Sequence, residues 1–199
     1  MNRLLGIVTG ISRVGAIVGG AMLLVAAMTI CVDIFLRYAF ALTVGGADEL
    51  SGYALDIASA WGFSVALLSR SHIRIDTVYV RVKSRRARAV LDLLSLAFLA
   101  LFIALVAWHG WGVLQQSYTS GSRSMSAIET PLVIPQGLWF AGLAFFVAVA
   151  ALLLVRALSA YIRGDFAALF AAIGSKSAVA EAEEEITAIA QALDGKRGE

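Results

Sequence analysis

Uncharged, mostly apolar runs recur four times along the chain, and shorter polar connections separate them. The runs cover residues 14–32, 50–69 with Asp56 as the one charged residue, 93–116 and 136–155. Each run has the roughly 17–25 residues that a helix needs to cross a hydrocarbon core of about 30 Å. The pattern therefore predicts four transmembrane helices, at about residues 14–36, 48–69, 89–116 and 135–160.

The composition supports a membrane protein. Hydrophobic residues make up 60% of the 199 residues and charged residues 15%, and the mean hydropathy is +0.83. These values lie far from those of soluble domains, so we expect an all-α membrane protein. The first run follows Arg3 and Arg13 as in a signal peptide, but it is too long for a signal core and has no convincing cleavage site, so we expect an anchor. Cys31 is predicted to be a small buried residue.

Lysine and arginine concentrate in three of the five segments outside the runs. Two basic residues precede the first run, seven lie in residues 69–89 and five follow the fourth run. These three segments together hold 14 of the 16 basic residues. The other two, Arg37 and Arg123, lie in the two remaining connections. Because cytoplasmic loops retain positive charge, the pattern predicts that both termini are cytoplasmic.

The connection SRSHIRIDTVYVRVKSRRARA, residues 69–89, is both basic and amphipathic. Its apolar residues recur at helical spacing, which predicts an interfacial helix at about residues 75–85 between the second and third spans. The candidate contacts with lipid phosphates are Arg74, Arg81, Lys83, Arg85, Arg86 and Arg88. A second interpretation, that these charges only determine topology, stays open. Nucleic-acid binding is disfavoured, since the net charge is only +2.

The chain divides into a four-helix transmembrane domain, residues 1–164, and a cytoplasmic amphipathic and acidic helical tail, residues 165–199. Phe166, Leu169, Phe170 and Ile173 predict an interfacial helix at the start of the tail. The later part, AEAEEEITAIAQAL, predicts an acidic helix with one apolar face. This part either binds a partner or is a solvated tail.

Charged residues near membrane depth are costly, so each is a candidate site. Asp33 and Arg37, four positions apart, are predicted to pair with each other. Asp48 and Glu49 begin the second helix, where capping explains them. Asp56 lies about two turns into that helix, and its expected hydrogen-bond partner is either in this chain, such as Tyr118 or His109, or in another subunit.

No catalytic motif is evident in the sequence, and we expect neither an enzyme nor a bound cofactor or metal. Four helices and two histidines suggest a haem or quinone anchor for a redox complex as the alternative. However, His72 and His109 are predicted on opposite sides of the bilayer and so cannot ligate one iron. A lipid-binding four-helix adaptor is a third interpretation.

Three short stretches, taken in order, resemble the small membrane subunit (Q-type) of TRAP (tripartite ATP-independent periplasmic) transporters. They are DIFLRYAF followed by the acidic pair in ADEL, then SHIRID, and then SAIETPLVIPQGLWF before the fourth span. The resemblance covers residues from about 14 to 160. In place of the tryptophan that many relatives have ahead of the acidic pair, this chain has VGGA.

The resemblance implies a non-catalytic scaffold subunit of a sodium-coupled, binding-protein-dependent secondary transporter for organic acids, in the bacterial inner membrane. Its implied partners are a large multi-span permease subunit, a periplasmic substrate-binding protein and membrane lipids. The small subunit would pack against the large one and help dock the binding protein. The candidate partner-interface residues are Arg37, Asp48, Glu49, Asp56, His72, Asp76, Arg123, Glu129, Pro131 and Pro135.

Overall fold

The computed structural model describes residues 2–70, 82, 84–126 and 128–174. They form five helices, α1 (Asn2–Phe40), α2 (Ala47–Leu68), α3 (Arg85–Ser120), α4 (Val133–Ile162) and α5 (Phe166–Ile173). Within these ranges there is no strand, and a single antiparallel bridge joins Arg123 to Pro131. The predicted all-α class is therefore confirmed for the described residues.

Three of these helices, α1, α3 and α4, are long and apolar enough to cross a membrane. The second predicted span corresponds to α2, which has 22 residues but carries Asp48, Glu49 and Asp56. These acids and the small polar residues between them lower its mean hydropathy. The four-span topology with both termini in the cytoplasm stays a prediction.

The helices extend beyond the uncharged runs. With 39 residues, α1 is about 58 Å long and exceeds a hydrocarbon core of about 30 Å. The third helix begins at Arg85 rather than near residue 89, because the Ser84 side chain caps it by accepting from the Ala87 N–H at 3.5 Å. The interfacial helix predicted at about 75–85 lies almost wholly outside the described residues, and its last residue belongs to α3.

Close approach of α2 to its two neighbours depends on glycine. A Cβ atom at Gly19 of α1 would lie 2.7 Å from Cα of Ala58, and one at Gly15 would lie 2.3 Å from the Trp61 ring. On the other side, a Cβ at Gly142 of α4 would lie 2.8 Å from the same ring. Small residues of this kind allow helices to pack closely in lipid.

The core lies mainly between α3 and α4. Its members include Leu96 and Ile103 of α3 and Phe146, Val149 and Leu153 of α4. By contrast, only 11% of the apolar stretch of α1 is buried within the protein. Most of the surface of this helix is therefore available to lipid or to another protein. Cys31 lies on this surface and is exposed, and the prediction that it is buried is wrong.

The short helix α5 packs against α3 and α4. Asp165 caps it by accepting from the Ala168 N–H at 3.0 Å, and Leu169 and Ile173 are buried. The apolar face predicted for an interfacial helix therefore contacts protein at these two positions. The first residues of the tail are thereby joined to the bundle.

Candidate functional site

Two connections meet at one end of the bundle, which we call the loop end. Residues 41–46 join α1 to α2, and residues 121–132 join α3 to α4. Gly46, with a φ of 82°, has a backbone conformation that favours glycine. A Cβ atom at this position would lie 2.4 Å from Cδ1 of Ile128. Backbone conformation and the close approach of the second connection therefore both require glycine.

The first polar group at the loop end, which we call the Asp33 cluster, consists of Asp33, Arg37, Thr43 and Val44 and joins the α1–α2 connection to α1. Asp33 Oδ1 accepts hydrogen bonds from the Thr43 hydroxyl and the Val44 N–H, both at 2.7 Å. Arg37 Nη2 lies 2.5 Å from Oδ2 of the same carboxylate, so the ion pair expected from the four-residue spacing is present. The Asp33 side chain is buried, whereas that of Arg37 is 65% exposed. The cluster thus orders the connection and leaves a cation at the surface.

The second group, the Glu49 cluster, consists of Glu49, Tyr53, Ser124 and Ser126. Glu49 Oε1 accepts from the Tyr53 hydroxyl one turn further along α2. Its Oε2 accepts from the Ser124 hydroxyl at 2.5 Å, and the Ser126 hydroxyl lies 3.2 Å from that of Ser124. A carboxylate at the start of α2 therefore holds the α3–α4 connection, 75 positions away in sequence.

The surrounding hydroxyls set the charge state of Glu49, which precedes the uncharged run of α2. The hydroxyls of Ser124, Ser126 and Tyr53 lower the pKa of its carboxyl from 4.5 to about 2. Hydrogen bonds to the charged form of an acid have this effect, because the donors favour the carboxylate. Glu49 is therefore an anion throughout the physiological pH range.

The α3–α4 connection has a small ordered framework of its own. The Ser124 N–H donates to the Thr130 carbonyl at 2.9 Å, and the Leu132 N–H donates to the Ser122 carbonyl at 3.1 Å. These bonds flank the bridge between Arg123 and Pro131. Together with the Glu49 cluster, they join the described residues of this connection to one another and to α2.

The outward surface of this connection is both charged and apolar. Arg123 and Glu129 are exposed, and Arg123 Nη1 lies 3.4 Å from the Glu129 carbonyl oxygen. Met125 is fully exposed and Ile128 is 44% exposed. The exposed face of this connection therefore carries both ionic and apolar side chains.

The structure brings several predicted interface residues together at the loop end. Glu49, Arg123, Glu129 and Pro131 belong to, or hold, the α3–α4 connection, while Arg37 belongs to the Asp33 cluster. Asp48 is exposed beside them, and Pro135 is buried in the first turn of α4.

Other predicted positions lie elsewhere. Asp56 is exposed further along α2. Within the described part of the chain it makes no hydrogen bond, and it contacts neither of the partners expected in this chain, Tyr118 and His109. His72 and Asp76 lie outside the described residues, as do Arg74, Arg81 and Lys83. Arg85 and Arg86 are exposed at the start of α3, and the neighbouring Arg88 Nε donates to the Val82 carbonyl at 2.6 Å.

Asp48 and Glu49 lie in the first turn of α2, where their charge complements the positive end of the helix as expected, but neither side chain forms a cap hydrogen bond. The cap position is Gly46, which has no side-chain cap hydrogen bond, and Glu49 binds the other connection instead. Sequence reasoning also missed Thr43, Tyr53, Ser124 and Ser126. Two signals were available, the four-residue spacing of Glu49 and Tyr53 and the serine repeat in SGSRSMS, residues 120–126. The repeat is a weak signal, because hydroxyl residues are common in any loop.

Each of the two clusters is a hydrogen-bonded network around one carboxylate. Among the described residues, no group of three or more His, Cys, Asp and Glu side chains is placed to hold a metal ion. His109, one of the two histidines of the haem alternative, is exposed on α3. The carboxylates of the two clusters accept hydrogen bonds from hydroxyls, from one backbone N–H and from one guanidinium, which orders the connections.

Comparison with known proteins agrees with the resemblance noted in the sequence. The model of the family "Tripartite ATP-independent periplasmic transporters, DctQ component" matches residues 26–160. That range includes both clusters, all of α2 and α3, α1 from residue 26 onwards and α4 up to residue 160. No characterised protein and no solved structure matches the chain significantly.

Proposed function

Because the chain belongs to the DctQ family, the small membrane component of TRAP transporters, we propose that it is the scaffold subunit of a sodium-coupled carrier for organic acids. In this proposal it lies in the bacterial inner membrane with four spans and both termini in the cytoplasm. It packs against the large permease subunit and places the loop end in the periplasm. Catalysis, substrate binding and sodium binding have no part in its role.

The observation that carries this proposal is that side-chain hydrogen bonds hold both connections of the loop end to the helices. The Asp33 cluster orders the α1–α2 connection, and the Glu49 cluster ties the α3–α4 connection to α2. A surface whose backbone is already ordered loses less conformational entropy on binding, which suits a docking platform for a soluble protein.

Reconstitution tests the proposal. Proteoliposomes that contain the large subunit and this chain should take up organic acid when the binding protein and a sodium gradient are present. Vesicles with the large subunit alone, at the same protein density, should show little uptake. Equal uptake in the two preparations would contradict the scaffold role. Replacing the sodium gradient by potassium tests the coupling separately.

Asp56 is proposed to face the large subunit. An exposed carboxylate within an uncharged run of a membrane helix is costly in lipid, so a partner protein is its expected neighbour. Within the described residues it has no partner, which distinguishes it from the buried Asp33. We propose a cation or a hydrogen-bond donor of the large subunit at this position.

Substitution of Asp56 separates assembly from folding. Asp56→Asn and Asp56→Leu should leave the thermal stability of the isolated chain in detergent unchanged or higher. They should weaken co-purification with the large subunit by more than about tenfold, because a buried charge on the partner loses its counter-charge. Asp56→Glu, which keeps the charge, serves as the control. Unchanged assembly in both substitutions would show that Asp56 faces lipid or water.

A further inference from the structure

A cavity of about 680 Å³ opens at the end of the bundle opposite the loop end. It lies between the first turns of α1, the last turns of α2 and α4, and the short helix α5. Its polar lining includes Ser12, Arg13, Arg70 and Arg156, and its apolar lining includes Leu5 and Leu153. The volume falls within the range of about 300–1,000 Å³ that is typical of ligand sites.

The three arginines share one position relative to the membrane. Arg13 immediately precedes the first uncharged run, Arg70 immediately follows the second, and Arg156 immediately follows the fourth. Arg13 and Asp33 bound the first run and lie 20 positions apart, about 30 Å along a helix, which is the thickness of the hydrocarbon core. The arginines of the cavity therefore lie at the depth of lipid headgroups.

The positive charge of this cavity is not neutralised by the described part of the chain. None of the described residues that line it is acidic. The ion pair found among the described residues, Asp33–Arg37, lies at the loop end and not at the cavity. Arg70 donates one hydrogen bond, from Nη1 to the Phe170 carbonyl at 3.3 Å, which leaves most of its donors unused. Three guanidinium groups around one space, without a carboxylate, form a favourable site for an anion.

Ser12 supplies an independent indication of a ligand. Its side chain is 1% exposed, and its hydroxyl has no hydrogen-bond partner among the described residues. A buried hydroxyl without a partner is unfavourable, and this one belongs to the cavity wall. A bound acceptor would satisfy it.

We propose that this cavity binds the phosphodiester headgroup of an anionic phospholipid. Arg13, Arg70 and Arg156 surround the phosphate, the Ser12 hydroxyl donates to one of its oxygens, and the acyl chains leave along the leucines of α1 and α4. A free phosphate has the same anionic chemistry, but it makes no use of the apolar lining. In the proposed orientation the site faces the cytoplasmic leaflet, whose lipids are partly anionic.

Native mass spectrometry of the full-length chain in mild detergent tests this inference. The chain, stripped of lipid, is titrated with short-chain phosphatidylglycerol, with phosphatidylcholine of the same chain length, or with inorganic phosphate. We expect one tightly retained phosphatidylglycerol per chain, little phosphatidylcholine, and no displacement by an equal concentration of phosphate. Equal retention of both lipids would overturn the proposal, and displacement by phosphate would identify a soluble-anion site instead.

Charge-matched variants separate the cavity from general attraction to a basic surface. Arg13→Gln with Arg156→Gln should lower phosphatidylglycerol occupancy by at least about tenfold, because charge-assisted hydrogen bonds are lost. Arg85→Gln with Arg86→Gln removes the same charge from an exposed site outside the cavity and should have little effect. Equal losses in the two double variants would overturn the proposal. Thermal unfolding without lipid verifies that each variant is folded.

Ser12→Ala provides a test without any change of charge. If the hydroxyl binds phosphate, this variant should bind phosphatidylglycerol on the order of tenfold more weakly, while its unfolding temperature without lipid stays equal or rises. Unchanged lipid binding would remove Ser12 from the site and contradict the proposed geometry.

Discussion

Replacing Gly19 with leucine should force α1 away from α2 and destabilise the bundle. Even the first carbon of a side chain at this position would lie 2.7 Å from Cα of Ala58. Because that atom belongs to the backbone, no rotamer change can relieve the clash, and the helices must separate. Overpacking of this kind costs about 1–3 kcal/mol or more. Gly19→Ala should show a smaller loss in the same direction.

Gly20 provides a matched control in the same helix. A Cβ atom at this position meets no atom within 4 Å, so Gly20→Leu should be tolerated and Gly20→Ala should stabilise the helix slightly. The measurement is reversible unfolding of the isolated chain in mixed micelles of mild detergent and dodecyl sulfate, followed by circular dichroism. Similar unfolding midpoints for Gly19→Leu and Gly20→Leu would show that this helix crossing does not support the fold.

Glu49→Gln should release the α3–α4 connection while leaving the helices folded. The substitution removes the charged acceptor of the Tyr53 and Ser124 hydroxyls and preserves side-chain size, so the main change is electrostatic. Hydrogen exchange at the Ser124 and Leu132 amides, which hold the loop framework, should become markedly faster. Asp48→Asn is the matched control, because Asp48 is adjacent and exposed and has no contact in the cluster. Equal protection in both variants would contradict the role of Glu49.

The pKa of Glu49 determines the pH range of this effect. Because folding lowers that pKa from 4.5 to about 2, the carboxylate stabilises the loop fully above pH 4.5. The stabilisation is lost as the pH falls from 4.5 towards 2. After correction for intrinsic exchange, loop protection should therefore be constant between pH 5 and 8 and should decrease only in acid. A transition near neutral pH would show that another group controls the loop.

The same substitution can be used to link the Glu49 cluster to transport. If the ordered loop docks the binding protein, Glu49→Gln should reduce uptake in the reconstituted system. It should also raise the concentration of binding protein needed for the half-maximal rate of uptake. Asp48→Asn tests whether a neighbouring surface charge has a comparable effect. Faster loop exchange without any change in uptake would separate loop order from docking.

Features that depend on a few consecutive residues could be predicted. The Asp33–Arg37 pair follows from a four-residue spacing, and the apolar positions of α5 follow from helical periodicity. What α5 would contact did not follow, since the same amphipathic pattern suits a lipid surface and a protein groove. Leu169 and Ile173 are buried against the bundle because α3 and α4 offer a complementary surface at their ends.

Contacts between distant segments could not be predicted from spacing. Glu49 and Ser124 are 75 positions apart, and nothing in either local pattern indicates the other. Gly46 and Ile128 likewise meet only because two connections converge on one end of the bundle. Arg13, Arg70 and Arg156 were evident as charges on one predicted side, yet not as the lining of a single cavity.

The difference between what the sequence determines and what the tertiary structure determines has a physical basis. The sequence alone determined the all-helical membrane class, because a bilayer imposes on each segment a requirement for length and apolarity that can be read locally. Only the tertiary structure decided which polar groups meet, since that depends on where glycines allow helices to approach and on how connections fold over their ends. The Glu49 cluster and the arginine cavity both depend on the tertiary structure in this way.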